Sequence, residues 1–422
     1  MRLQELLIQL PAIELYVENI IEDLLDKKTV IVAIPPQYDV SDMEYLLRGK
    51  IRERRLHAEE VLLPELPDGE LPAAQIGARF SVDWVSANCP RTVENLLVSS
   101  GLPECILLSG FFQLPEKKKG LWLDFLNTWS RAPLSGSSRG IQQKPALCLV
   151  ADMASIPMNS TPQLSIRRWF GFPSALEVML LCRYGEGPGG GQRERARWRE
   201  YLLPSLVESD VALAEKMWDI VFKPVDEIIA FLAEDAREKG WSKNALLDWG
   251  IDPFITANRR DMDISRIQSV YPKLLANGVL CRTLEYGTGV HISALAALQL
   301  DDRIKKRIWR GQLSLLLSMV DNIRLFLCDI LTEKHGAGWP LFFPPSDPEE
   351  LEQVKFNPRA CQLGHIHYSI HNYPHFLEEK KYLTLIQTTR KIRNELAHYR
   401  TVNYSEYKGM VLEAKKYGLL FI

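Results

Sequence analysis

The run Thr29-Val30-Ile31-Val32-Ala33-Ile34 constrains this chain more than any other stretch. All of its residues except Ala33 are β-branched, and after Thr29 no polar position is left for a face turned to water. Such a strand is buried on both sides, which belongs to a parallel sheet covered by helices. Similar runs at 58–63, 105–109, 146–150 and 175–182 read as further strands. Helical patterns at 91–99 and 121–131 separate several of them, and an amphipathic pattern over 3–26, interrupted near Pro11, precedes the first. Strands alternating with helices predict a three-layer α/β domain over residues 1–190. The glycine-rich run Gly185-Glu186-Gly187-Pro188-Gly189-Gly190-Gly191 has linker composition and closes it.

At 422 residues the chain exceeds one ordinary hydrophobic core, so two or three domains are expected. Its 46% hydrophobic and 25% charged content is that of a globular protein, and a net charge of −2 gives no global attraction to nucleic acid or membrane. Contact with a polyanion therefore has to come from local patches. Seven scattered cysteines without CxxC spacing read as buried thiols of a reducing compartment. The first residues turn acidic at Glu14, Glu18, Glu22 and Asp23, unlike a secretory signal, and no apolar run approaches a membrane span. A cytoplasmic location is the expectation, with no membrane partner.

The order of strands and helices resembles a P-loop or AAA-type NTPase core. In that family the first strand runs into a glycine-rich phosphate loop with a lysine. Here the position reads Pro35-Pro36-Gln37-Tyr38-Asp39-Val40-Ser41-Asp42-Met43, with neither glycine nor lysine, so the Walker A grip is missing. The resemblance thus implies a degenerate, STAND-like domain with no nucleotide cofactor. Asp152, after the strand at 146–150, reads either as a metal-binding carboxylate or as a helix cap. Lys117-Lys118-Lys119-Gly120 reads as a solvated basic tip, with phosphate contact as the alternative.

Residues 191–300 read as a helical connector. Arg193-Glu194-Arg195-Ala196-Arg197-Trp198-Arg199-Glu200 suits a solvent-facing helix whose arginines pair with Glu194 and Glu200, with nucleic-acid backbone binding as the alternative. Between Ile264 and Ala297 an apolar helix leads into two short strands around Glu285-Tyr286-Gly287, the pattern of a winged-helix module. It carries no basic recognition helix, so a spacer role is expected, and His291 reads as a strand residue.

Residues 301–422 read as a small antiparallel helical bundle, with apolar residues from Leu315 to Ile330 at three- and four-residue intervals. Near its end stands Arg393-Asn394-Glu395-Leu396-Ala397-His398. This Arg-x4-His pattern, with Asn after the Arg and on a late bundle helix, resembles the signature of the HEPN family. The resemblance implies a metal-independent ribonuclease site, often composite across a homodimer. In it Arg393 would stabilise charge on the scissile phosphate, His398 would act as general acid or base, and Asn394 would orient the imidazole or donate to phosphate. Asn394 and His398 share a helix face, whereas Arg393 lies about 140° round from His398, so a local irregularity or a second protomer is required.

Upstream, Cys361, His365, His367, His371 and His375 fall within fifteen residues. The spacing suits zinc, but Gly364 and Pro374 break the helix that would align the ligands, so no metal is assigned and RNA contact is preferred. The expected architecture is α/β plus all-α: a P-loop-like domain at 1–190, a helical and winged-helix-like connector at 191–300, and a HEPN-like bundle at 301–422. The expected function is a prokaryotic defence or toxin-type endoribonuclease regulated by its N-terminal domain, with RNA as substrate and a homodimer or defence protein as partner. The alternatives are a non-catalytic scaffold subunit of an anti-phage assembly and an NTP-driven switch.

Overall fold

The computed structural model describes residues 10–35, 40–84, 86, 88–132, 144–156, 160–170, 173–185, 193–256, 262, 264–283 and 287–419. The expected phosphate-loop position at 36–39, the glycine run at 186–191 and the turn residues 285–286 lie outside them. In chain order the helices and strands are α1 (Pro11–Leu25), β1 (Thr29–Ile34), α2 (Val40–Glu53), β2 (Ala58–Leu62), α3 (Pro72–Arg79), α4 (Val93–Leu97), β3 (Cys105–Ser109), α5 (Glu116–Arg131), β4 (Ala146–Asp152), β5 (Leu164–Arg168) and α6 (Ala175–Gly185). There follow α7 (Arg193–Val207), α8 (Val211–Lys216), α9 (Val225–Glu238), α10 (Lys243–Asp248), α11 (Ile251–Thr256), α12 (Ile264–Val270), α13 (Pro272–Ala276), β6 (Leu280–Thr283), β7 (Gly287–Val290) and α14 (Ile292–Ala297). The chain ends with α15 (Asp301–His335), α16 (Pro348–Phe356), α17 (Leu363–Asn372), α18 (Leu383–Ala397) and α19 (Tyr404–Lys415). They form two compact units: one from residues 1–177, 209–212 and 243–291, the other from 178–208, 213–242 and 292–422.

The first unit is built on a parallel five-stranded sheet in the order β2-β3-β4-β1-β5. β1 and β3 are buried along their whole length, as the absence of a polar face in these runs requires. The register sets Ile34 at the end of β1 beside Asp152 at the end of β4. The chain leaves β1 for the far edge at β2 and leaves β4 for β5 on the other side, so the β1/β4 boundary is the switch point of the sheet.

The fifth strand is not the expected one. Residues 175–182 are helical in α6, and β5 occupies the edge beside β1 instead. Ser174 and Glu177 explain the difference: Ser174 N donates to Glu177 Oε2 at 2.8 Å and Glu177 N donates to Ser174 Oγ at 3.3 Å, a reciprocal cap that starts a helix. Within this unit α1 is tied to β5 by Asp23, whose buried carboxylate accepts from Lys28 Nζ at 2.8 Å, Ser165 Oγ at 2.6 Å and Arg167 Nε at 2.6 Å.

The same unit contains α12, α13 and the antiparallel hairpin β6–β7, in register Leu280 to Val290. His291 follows β7 and is buried; its Nε2 lies 3.1 Å from Asp210 Oδ2 and its backbone N donates to Val279 O at 2.7 Å. The imidazole is thus a packing and pairing group of the hairpin.

In the second unit α15 is one 35-residue helix, about 50 Å long, against which α7, α14 and α18 pack. α18 in turn packs on α17 and α19. Gly311 permits the α7–α15 approach: a Cβ there would stand 2.5 Å from Ser205 Oγ and 2.7 Å from Tyr201 O. The arginine-rich helix α7 is not solvent-facing. Arg199 is buried, with its guanidinium 4.1 Å from the Trp218 ring centre and its Nε donating to Trp218 O at 2.8 Å. Glu194 is buried too and pairs with Lys415 at 3.0 Å, while Glu200 pairs with Arg183 at 3.4 Å. A cation–π contact, the Trp218 carbonyl and the Asp219 carboxylate at 3.4 Å satisfy the buried cation, where a carboxylate on the same helix was expected. Among the described residues, no helix is long and apolar enough to cross a membrane.

Candidate functional site

At the β1/β4 switch point the two polar groups singled out from the sequence are already committed. Asp152 Oδ1 accepts from Ser155 N and Ser155 Oγ, both at 2.8 Å, which makes it the cap of the following turn. Lys117, Lys118 and Lys119 lie in the first turns of α5 rather than on a loop tip. Lys119 is mostly buried between Glu116 at 2.9 Å and Asp152 at 3.5 Å, and Lys118 pairs with Asp68. The capping alternative for Asp152 therefore describes its geometry, and Lys118 and Lys119 spend their charge on carboxylates while Lys117 is exposed.

The second unit arranges its cations differently. On α18 the buried stripe is Leu385, Ile386, Thr389, Ile392 and Leu396, which packs the helix into the bundle. Arg390, Arg393, Asn394 and Ala397 fall on the adjoining face at intervals of three and four residues. Arg390, Arg393 and Asn394 line a cleft of ≈ 310 Å³ whose other walls are α15, through Leu317, Val320, Asp321 and Arg324, and the start of α17. Arg393 also borders a second cleft of ≈ 340 Å³, walled by Trp309, Leu313, Leu317, Leu396 and Tyr399. One guanidinium thus stands on the ridge between a cationic cleft and an apolar one.

The cations of the first cleft are held unequally. Arg324 is fixed: its Nε donates to Asp321 Oδ1 at 2.9 Å, and its Nη1 donates to the carbonyls of Arg359 and Cys361, the latter at 3.2 Å. Arg390 Nη1 donates to His367 Nδ1 at 3.4 Å. Burial, then the charges of Arg390 and His371, holds His367 below the usual imidazole range, which keeps it a neutral acceptor. Arg393 is exposed and donates to Asn394 Oδ1 at 3.3 Å.

His398 lies one residue past the end of α18, at the C-cap, with its side chain exposed. The structure brings Arg393 and Asn394 together and leaves His398 at the helix end; no hydrogen bond joins Arg393 to His398 among the described residues. The segment after His398 is firmly held. Gln312 of α15, itself buried, donates Nε2 to Val402 O at 2.6 Å and accepts Val402 N at 2.8 Å. Trp309 Nε1 donates to Leu396 O at 2.9 Å.

The cysteine and histidine cluster is dispersed. Cys361 is buried with its thiol pushed well up by burial, and His365 is lowered by burial. His367 and His371 stack at 5.6 Å on α17, and His375 packs against Phe342. Among the described residues, no three His, Cys, Asp or Glu side chains form a group that could hold a metal ion. Of the cleft residues, Arg390 was legible as a same-face neighbour of Arg393, three positions earlier. Arg324, Gln312 and Trp309 reach the site from α15, and nothing local in their own sequence marks them for it.

No family model and no curated protein matches the sequence. Among solved structures the chain is similar to the Aeropyrum pernix ORC2 protein in ADPNP and ADP complexes, at 12% identity and a TM-score of 0.28, covering 69% of this chain and 92% of that one. It is also similar to a Thermotoga maritima RuvB variant, at 14% identity and a TM-score of 0.26, covering 70% and 94% respectively. Neither likeness is close enough to bring a function to this chain.

Proposed function

We propose that the second unit is a HEPN-like module that cleaves RNA without a metal ion, and that the α/β unit, a P-loop-like domain without its phosphate grip, regulates it through a protein partner. The observation that carries this reading is the placement of Arg393 and Asn394 beside Arg390 and Arg324 in one cleft, with Asp321 already paired to Arg324. Guanidinium and amide donors with no free carboxylate among those residues suit a phosphodiester. In the reaction Arg393 neutralises charge on the phosphoryl oxygens and His398 moves a proton between the RNA 2′-hydroxyl and the leaving 5′-oxygen. Because the two side chains do not meet within one chain, the working site takes Arg393 from one copy and His398 from another. Prokaryotic defence or toxin action is the setting such an activity fits.

The test is cleavage of RNA by the full-length protein in the presence of a chelator. Arg393→Ala and His398→Ala should each abolish it, and mixing the two variants should restore about a quarter of the sites in a randomly assorted dimer. Equal activity in wild type and both variants would sink the proposal. The separation of Arg393 from His398 also favours the competing reading, a non-catalytic scaffold subunit of a defence assembly. No cleavage by any of the proteins, with an intact partner complex, selects it.

A further inference from the structure

We infer that Tyr399 is a stacking platform for an unpaired base of single-stranded RNA, next to the phosphate position at Arg393; this rests on the phosphodiester reading of the cleft. The first observation is its backbone. α18 ends in a Schellman turn, with Arg400 N donating to Glu395 O at 2.9 Å and Tyr399 N donating to Leu396 O at 3.2 Å. The left-handed position of that turn is usually glycine, because a Cβ is disfavoured there. Here Tyr399 occupies it, at φ 57°.

The second observation is where the ring goes. Tyr399 is 73% exposed, so neither the turn nor the core needs its side chain. The ring lies 4.8 Å from that of Trp309, tilted by 39°, which supports one side and leaves the other open. It borders the same apolar cleft as Arg393, and the loop that carries it is pinned through Gln312 and Val402. A rigid, exposed aromatic face beside an exposed guanidinium is how proteins hold a nucleotide in single-stranded form: the base stacks on the ring and its phosphate meets the cation. A duplex keeps its bases stacked on each other and offers no open face to Tyr399. The platform therefore selects loops and single strands over duplex.

The test measures binding rather than cleavage, by fluorescence anisotropy of a labelled oligoadenylate with full-length His398→Ala protein. Adding Tyr399→Gly should weaken binding about 5- to 100-fold, the effect of losing one stacked base, while Tyr399→Phe leaves it unchanged. Glycine suits the left-handed turn, so the Tyr399→Gly protein should melt no lower than its parent, which separates lost stacking from lost fold. Affinity for the duplex with oligouridylate should not change. Equal oligoadenylate affinity with and without the ring, or equal loss on duplex, overturns the platform. If Arg393→Ala still weakens binding in that case, the phosphate reading of the cleft stands without it. No binding of the single strand by the parent protein removes both.

Discussion

Gln312 makes the most quantitative demand on the bundle. Its side-chain amide meets both backbone groups of Val402, and both residues are buried, so water cannot replace either bond. Gln312→Met keeps the volume and orphans one N–H and one C=O. At about 1–3 kcal/mol for each buried unsatisfied group, the expected loss is about 2–6 kcal/mol, enough to lower the melting temperature by roughly 4–24 °C in a unit of this size. Gln312→Glu separates the two bonds. An ionised carboxylate still accepts Val402 N–H but turns an oxygen toward Val402 C=O, and only the protonated acid can donate there. Burial and that carbonyl hold the acid above its unfolded value, so the folded state binds the extra proton and stability falls as pH rises. Chemical denaturation of both variants between acidic and neutral pH reads this directly. Gln312→Glu should approach wild type at the acidic end and fall toward Gln312→Met at neutral pH. A loss under about 0.5 kcal/mol for Gln312→Met would refute the clamp, as would a Gln312→Glu protein without pH dependence.

Two further perturbations follow from the packing. Burial pushes the Asp23 carboxyl up, but the bonds from Lys28, Ser165 and Arg167 outweigh it and leave it below the usual carboxylate range. Its stabilising contribution is therefore full above about pH 4 and is lost as pH falls through the depressed folded value, so Asp23→Asn should unfold the α/β unit more readily at neutral pH and flatten its acid-unfolding profile. Gly311→Ala should destabilise the bundle by about 1–3 kcal/mol in a urea titration despite alanine's better helix propensity, because the new Cβ meets the backbone of α7. A neutral or stabilising outcome would mean that α7 and α15 can part without penalty.

What was legible in the sequence was what depends on local pattern. The runs of β1, β3 and β4 have no polar face, and that alone makes them interior strands. β5 escaped because Leu164-Ser165-Ile166-Arg167-Arg168 is an edge strand with polar alternation and a charged end. α6 was misread because a short, mostly apolar run fits strand and helix equally, yet the Ser174-x-x-Glu177 pair at its start was there to decide the matter. In the candidate site Arg393, Asn394 and His398 were visible as a motif. Their surroundings were not: Arg324, Gln312 and Trp309 stand some seventy to ninety residues earlier and reach α18 only through the α15 packing. Arg199 shows the same limit from the other side, since its burial depends on Trp218 and Phe222 from outside its own helix.

The interleaving of the two units along the chain governs how the protein is made. Asp210, from a short insertion, pairs with His291 from a much later segment of the same unit, so the α/β unit is not complete when its sheet has been synthesised. A ribosome has to release residues up to 291 before that unit can close, and by then it has already delivered the α7 and α9 segments, which wait for α15. Neither unit corresponds to one uninterrupted stretch of gene. Moving either unit to another protein would therefore mean carrying several chain segments at once.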